Sequence, residues 1–274
     1  MLYRLLLLLV LPLGFSPFTA AQNKSTAEAQ VLEKASELML SRKYESAFKL
    51  LNSFDPKHRR PAVVLRQVEL ALGYNLRSRE YEAFGFRDLG PLERLDSLRV
   101  RYTKAAIQYP FAVESILITL QKRYPTNYKL NRGLADYYYQ VQQCECAEAD
   151  KSPNTLLALM ARHYLVVHAH GYGDFHSYYA LGYARMSQGR FAESVPLFKR
   201  SIALRSNYAL AHFNLAYSYN ELKQLAKARI EARAAARLFD DPQLKSDAIF
   251  MAEDIEKRLG IPVPPITGAR VENP

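Results

Sequence analysis

The chain has 274 residues, and 49% of them are hydrophobic, which excludes a globally disordered protein. It carries 37 Lys and Arg against 27 Asp and Glu, a formal net charge of +10 at pH 7. A basic surface attracts anionic partners over long distances. An acidic protein and an anionic polymer are therefore candidate partners, and a solvated basic face without a dedicated partner is the alternative.

The N-terminus has the pattern of a secretory signal peptide. Arg4 precedes an apolar run from Leu5 to Leu13, and small residues follow up to Ala21. We expect residues 1–21 to be removed by cleavage after Ala20 or Ala21, and the mature protein to be periplasmic or secreted. The apolar run is shorter than the roughly 20 residues of a membrane span, so no membrane span is expected. Because an exported protein rarely meets nucleic acid, no nucleic-acid partner is expected either.

The first half of the chain predicts three helix pairs in succession. Residues 27–56 form the first, with Tyr44, Ala47 and Leu51 on one face of its second helix. Residues 61–90 have a weaker pattern of the same kind. Residues 91–125 predict a third pair, whose two helices separate near Tyr109 and Pro110. We therefore expect no β-sheet.

A fourth pair begins at Asn127, with Leu134, Ala135 and Tyr138 in its first helix. Its second helix is delayed. We expect residues 142–154 to form an inserted turn, because only then does the second helix place Met160, Tyr164 and Val167 at the expected spacing.

The clearest repeats are residues 175–208 and 209–242, which align at an offset of 34 residues. Leu181 and Gly182 recur as Leu215 and Ala216. Self-similarity at this period predicts a helix–turn–helix repeat.

Small residues explain how the two helices of such a pair can approach each other. We expect Gly182 to lie opposite Ser194, and Ala216 opposite Ala228, at the closest crossing of each pair. Gly189 suits the left-handed position after a helix. Pro196 is expected within the first turn or so of the second helix, where a missing N–H is least costly.

Leu181, Gly182, Gly189 and Phe198 resemble the tetratricopeptide repeat family, and the next unit departs from it at Lys223 and Ala232. The resemblance implies an all-α, right-handed superhelical solenoid of antiparallel helix pairs. Residues 27–259 would hold about six pairs and a C-terminal capping helix. The proline-rich residues 260–274 are expected to be a disordered tail.

The resemblance also implies a protein-interaction scaffold that binds an extended segment of a protein or peptide partner in a concave groove. One stripe of each first helix would line this groove, and tyrosine offers contact area at low entropic cost. The alternative is that these side chains pack between neighbouring repeats. The predicted groove residues are His176, Tyr179, Tyr183, Met186, Phe213, Asn214, Tyr217 and Asn220.

Cys144 and Cys146 are the only cysteines of the chain, and both lie in the inserted turn. In an oxidising compartment they have three possible fates: a disulfide with each other, a shared metal ion, or bridges to another molecule. We favour the intramolecular disulfide and predict no metal site. Because thiolate and imidazole groups suit zinc or copper, a metal- or redox-responsive protein is the alternative function. The histidines that would join the cysteines are His163, His168, His170 and His176.

No local catalytic motif is present: the metalloprotease, nucleophile-elbow and phosphate-loop patterns are all missing. We therefore predict a non-enzymatic protein without a cofactor.

Overall fold

A computed structural model describes residues 17–101, 107–143 and 151–262 of the chain, and the side chains of residues 26–99, 107–143 and 151–262. The chain divides into two compact units, unit 1 (Met1–Ala112) and unit 2 (Val113–Pro274). Helices dominate both units, as the sequence predicts. Within the described ranges, no helix is both long and apolar enough to cross a membrane.

Unit 1 begins with the predicted helix pair. Helices α1 (Pro17–Leu40) and α2 (Tyr44–Phe54) pack against each other. The buried face of α2 contains Tyr44, Ala47 and Leu51, as their spacing predicts, together with Phe48. Because α1 begins at Pro17, cleavage after Ala20 or Ala21 would remove its first residues.

The rest of unit 1 differs from the expected helix pairs. Helices α3 (Pro61–Gly73) and α4 (Leu95–Arg101) are separated by strands β1 (Arg77–Arg79) and β2 (Ala83–Gly85). Strand β3 (Gln108–Pro110) follows α4 and completes an antiparallel sheet with the order β1-β2-β3. The expectation of no sheet is therefore wrong, and residues 61–90 form one helix and two strands instead of a helix pair. Residues 91–125 do contain two helices that separate near Tyr109 and Pro110, as predicted, but β3 lies between them in the chain.

Aromatic packing explains the small sheet, since aromatic side chains favour strands whose faces are buried. Phe84 in β2 pairs with Tyr109 in β3. The ring of Phe48 in α2 contacts those of Phe86, Tyr109 and Phe111 at centroid distances of 4.6–5.7 Å. Phe84 contacts Phe86 and Phe111, and Phe86 contacts Tyr109, at 6.4 Å. The sheet thus covers the apolar face that α2 presents.

Unit 2 contains the predicted fourth, fifth and sixth helix pairs. After α5 (Val113–Arg123), the pairs are α6 (Lys129–Gln143) with α7 (Pro153–Ala169), α8 (Phe175–Ser187) with α9 (Phe191–Leu204), and α10 (Ala209–Glu221) with α11 (Leu225–Leu238). The single helix α12 (Pro242–Arg258) packs on α11, where the capping helix is expected. Met160, Tyr164 and Val167 are all buried in α7, which confirms their predicted positions.

The ends of these helices follow from the local sequence. Asp174 caps α8: its carboxylate accepts a hydrogen bond from the Ser177 amide, and the Ser177 hydroxyl contacts the Asp174 amide in return. This reciprocal pair satisfies two amides that a helix start leaves free. Gly189 has the predicted left-handed backbone, with φ of 71°, and Lys223 adopts the same conformation one repeat later, with φ of 60°.

At Gly182 the closest side chain of α9 is Phe198, which the sequence pattern does not predict there. A Cβ atom at Gly182 would lie 2.8 Å from Cε1 of the Phe198 ring. The buried Ser194 hydroxyl instead lies 2.8 Å from that of Ser218. In the sixth pair, Ala216 clusters with Ala232, which occupies the position of Phe198.

Pro196 lies inside α9, just beyond its first turn and so close to the expected position. The reason is that α9 begins at Phe191, directly after the turn at Gly189 and Arg190, so Pro196 is its sixth residue.

Several predictions concern residues outside the described ranges. They are the signal sequence up to residue 16, the Cys144 and Cys146 pair, and the tail from residue 263 onward.

Candidate functional site

The first helices of the fourth and fifth pairs bring aromatic side chains together. The ring of Tyr139 in α6 lies 5.2 Å from the His176 ring and 6.3 Å from the Tyr183 ring, both of α8, in edge-to-face contacts. The Gln142 side-chain amide donates a hydrogen bond of 3.4 Å to the Tyr183 hydroxyl. None of the three rings is fully buried. We name Tyr139, Gln142, His176, Tyr183 and Met186 the tyrosine surface.

Two of the predicted groove residues connect neighbouring repeats. Tyr179 is only 4% exposed, and its ring lies 5.0 Å from that of Tyr208. Its hydroxyl accepts a hydrogen bond of 3.1 Å from the buried side-chain amide of Asn214 in α10. Burial raises the pKa of Tyr179, so its hydroxyl stays protonated. Tyr179 and Asn214 therefore form the layer beneath the tyrosine surface.

The predicted groove residues of α10 have separate surroundings. Phe213 packs against Phe239, at a ring distance of 6.0 Å. Tyr217 is 40% exposed, and Phe191 is its ring neighbour. Asn220 accepts a hydrogen bond of 2.7 Å from Arg258. Of the eight predicted residues, His176, Tyr179, Tyr183 and Asn214 are thus linked through direct contacts or through Tyr139. The partly buried Met186 packs against the core that includes Tyr179.

A charged network adjoins this surface. Arg132 in α6 donates to both carboxylate oxygens of Asp136, at 2.7 and 2.8 Å, and forms an ion pair of 2.9 Å with Asp174. The Tyr164 hydroxyl donates to Asp136 at 2.6 Å, and His176 Nδ1 lies 4.0 Å from the same carboxylate. Burial lowers the pKa of His176 more than Asp136 raises it, so the ring is neutral at pH 7. His176 therefore contributes an uncharged ring to the tyrosine surface.

The remaining histidines of the alternative metal hypothesis have other partners. His163 Nδ1 lies 3.0 Å from Asn131 Oδ1, His168 Nε2 lies 3.0 Å from the Ser177 hydroxyl, and His170 stacks on Tyr128. Within the side chains described, no group of three His, Cys, Asp or Glu residues is placed to hold a metal ion. Cys144 and Cys146 lie outside those ranges.

Sequence reasoning missed Tyr139 and Gln142. Tyr139 lies five residues after Leu134, as Met186 lies five residues after Leu181. Extending the repeat alignment from Leu134 and Ala135 along the rest of α6 would have identified Tyr139.

Comparisons with known proteins support the repeat assignment. The family model described as tetratricopeptide repeat matches residues 175–208. No curated protein matches the sequence.

Among solved structures, the protein TTC0263 of Thermus thermophilus, described as a thermophilic TPR protein, is 14% identical with a TM-score of 0.50, over 82% of this chain and 98% of that one. A structure of MamA MSR-1 is 19% identical with a TM-score of 0.47, over 77% of this chain and 96% of that one.

At such identities the likeness to TTC0263 concerns the fold alone. The matched segment contains the Leu181–Gly182 pair, the left-handed Gly189 and the buried Phe198. The chain therefore carries a tetratricopeptide repeat, formed by helices α8 and α9.

Proposed function

We propose that the chain is an exported protein-interaction module without catalytic activity, and that unit 2 binds an extended segment of a partner protein on the tyrosine surface. The observation that carries the proposal is the layering of aromatic groups in α6 and α8. Tyr179 is buried and fixed by Asn214, whereas the rings of Tyr139 and Tyr183 above it remain partly open.

A fixed lower layer favours binding because it holds the upper rings in place before a ligand arrives. Tyr139 contacts both Tyr179 and Tyr183, so ordering it costs little further entropy on binding. Burial raises the pKa of Tyr139 to about 12, so its hydroxyl stays protonated and can donate to a peptide carbonyl. Gln142 supplies a side-chain amide beside the Tyr183 hydroxyl, which suits the backbone of an extended segment.

Photo-crosslinking tests the location of the binding surface. A photoreactive phenylalanine analogue placed at Tyr183 should crosslink to a specific partner in the exported fraction of producing cells. The matched control is the same analogue at Tyr172, a 47% exposed tyrosine that follows α7 and lies outside the tyrosine surface. Equal crosslinking from both positions would contradict the proposal.

Substitution then tests the energetic role of the surface. Tyr183→Ser should reduce recovery of that partner about tenfold or more, since truncating an anchoring aromatic residue commonly costs 2 kcal/mol or more, whereas Tyr172→Ser should not. Both variants should retain the melting temperature of the parent. Loss of stability in Tyr183→Ser without a specific loss of partner would instead assign the ring to packing.

Export is tested separately, by the mass of the protein recovered outside the cytoplasm. The signal pattern of residues 1–21 supports cleavage after Ala20 or Ala21. Recovery of only the uncleaved chain in the cytoplasm would contradict this part of the proposal.

A further inference from the structure

A second surface lies between α11 and α12, where a cleft of about 360 Å³ opens to solvent. We name it the arginine cleft. Its lining residues are Arg229, Ile230, Arg233, Arg237 and Glu256. It shares no residue with the tyrosine surface.

The three arginines follow one another at intervals of four residues along α11, which places them on one side of the helix. Successive members rise about 6 Å along the helix axis, so Arg229 and Arg237 are about 12 Å apart along it. The arginines form a row that runs the length of the cleft.

The middle arginine is held by the buried carboxylate of Glu256 in α12. Arg233 Nε lies 3.0 Å from Glu256 Oε1, and a second guanidinium nitrogen binds the other carboxylate oxygen. This two-point contact fixes the guanidinium in the cleft wall. Glu253 of α12 also acts on Arg233, at longer range.

The outer arginines differ from the middle one. Within the described side chains, neither Arg229 nor Arg237 forms an ion pair, although Glu256 also attracts Arg229 at longer range. The guanidinium groups of Arg229 and Arg237 therefore lie on either side of the neutralised Arg233–Glu256 pair. Each can bind an anionic group at one end of the cleft. Ile230, which is 60% exposed, lies beside them and offers an apolar contact.

We infer that the arginine cleft binds an acidic peptide segment that has an apolar side chain between two carboxylates. In an extended peptide, residues four apart are separated by about 13 Å and point to the same side, as does the residue midway between them. This spacing matches the distance from Arg229 to Arg237 and places the apolar side chain near Ile230.

A uniformly anionic polymer fits the cleft less well. Glu256 and Glu253 on the α12 side would repel negative charges spaced at every unit, and such a polymer would gain nothing from Ile230. Guanidinium groups bind carboxylates through paired hydrogen bonds, so discrete carboxylates are the favoured ligand groups.

Fluorescence anisotropy tests the inference on the full chain. The probe is a fluorescein-labelled peptide, Ser-Glu-Gly-Leu-Gly-Glu-Ser. The Arg229→Gln/Arg237→Gln variant should bind it about tenfold or more weakly than the parent, because a hydrogen bond to a charged group contributes on the order of 1.5–3 kcal/mol. Arg233 is left intact so that Glu256 keeps its partner.

The matched control removes the same charge elsewhere. Lys57 and Lys199 are exposed, and the Lys57→Gln/Lys199→Gln variant should bind the probe within about twofold of the parent. An equal loss in both double variants would show attraction by net charge alone and would overturn the inference. Circular dichroism checks that each variant is folded, and if the glutamine variant is not, Arg229→Lys/Arg237→Lys replaces it with the same expected direction of change.

The apolar contact separates a peptide from a polymer. Ile230→Ser should weaken binding of the leucine peptide and leave unchanged the binding of a peptide in which serine replaces the leucine. Equal binding of the two peptides to the parent, or tighter binding of hexaglutamate or phosphatidylglycerol vesicles that is insensitive to Ile230→Ser, would overturn the inference in favour of an anionic polymer or a lipid surface.

Discussion

A methyl group added at Gly182 should destabilise unit 2. A Cβ atom there would lie 2.8 and 2.9 Å from two carbons of the Phe198 ring, whereas carbon atoms pack best at about 3.5–4.0 Å. The ring is 0% exposed and cannot swing into solvent. Gly182→Ala gains about 1 kcal/mol in helix propensity, while overpacking costs about 1–3 kcal/mol. We expect a net loss of about 1 kcal/mol in unfolding free energy, and a larger loss for Gly182→Leu.

Removing the Phe198 ring should turn the destabilising effect of Gly182→Ala into a stabilising one. Phe198→Ala alone should cost about 3–5 kcal/mol because it leaves a cavity. In Gly182→Ala/Phe198→Ala the new methyl group meets no ring and partly fills that cavity. The double variant should therefore be more stable than the sum of the single losses predicts, by about 1 kcal/mol or more.

Urea denaturation followed by circular dichroism measures these free energies, and hydrogen exchange of the α8 and α9 amides locates them in unit 2. Gly73→Ala is the matched control, because a Cβ atom on this α3 glycine would have no neighbour within 4 Å. It should leave stability unchanged or raise it. If Gly182→Ala also raises stability and the double variant is additive, Phe198 does not pack against Gly182.

Three further predictions concern pH, the turns and the cysteines. Burial lowers the pKa of His163 to about 4 from 6.5, so between these pH values the unfolded chain binds a proton that the folded chain does not. Up to about 3 kcal/mol of stability should therefore be lost as pH falls from 6.5 to 4. Urea unfolding measures this loss, which should be smaller in His163→Gln. Lys223→Gly should stabilise by up to about 1 kcal/mol and Gly189→Ala should destabilise by about as much, because both positions are left-handed; equal melting temperatures would contradict this. The Cys144→Ser/Cys146→Ser variant should melt like the parent, because a disulfide across one residue closes a very short loop. The intact mass of the parent without reduction should be lower by two hydrogens than its mass after reduction.

The sequence predicts unit 2 well because its helix pairs are local. The fifth and sixth pairs each consist of two apolar stripes joined by a short turn, and the 34-residue offset between residues 175–208 and 209–242 makes the stripes recognisable. Even the delayed α7 follows from spacing, because Met160 and Tyr164 keep the helical period after the inserted turn.

Unit 1 departs from the prediction because its sheet depends on distant pairing. Gly85 of β2 pairs with Gln108 of β3, across a segment that contains α4. Such pairing leaves no local period in the sequence. The β1–β2 turn also lacks the usual signal, since Glu80 and Tyr81, not glycine or asparagine, adopt the left-handed conformation there.

For the site, helical spacing finds the residues that share a face but not which of them a neighbour covers. His176, Tyr179 and Tyr183 belong to one stripe of α8. Asn214 of the next repeat and Tyr208, which directly precedes α10, bury Tyr179, while Tyr183 stays partly open. This difference depends on contacts between repeats, which a single repeat does not encode.

The last repeat joins packing and charge in one sequence period. Alanines 228, 232 and 236 are buried in α11, and each is followed by an arginine of the cleft, at 229, 233 and 237. The small alanine side chains allow α12 to approach α11, as the cluster of Ala216, Ala232 and Ala252 shows. That approach brings Glu256 to Arg233. A larger residue at Ala232 would therefore displace α12 and release Glu256 from the cleft wall, so the fit of the capping helix and the arrangement of the arginine cleft cannot change independently.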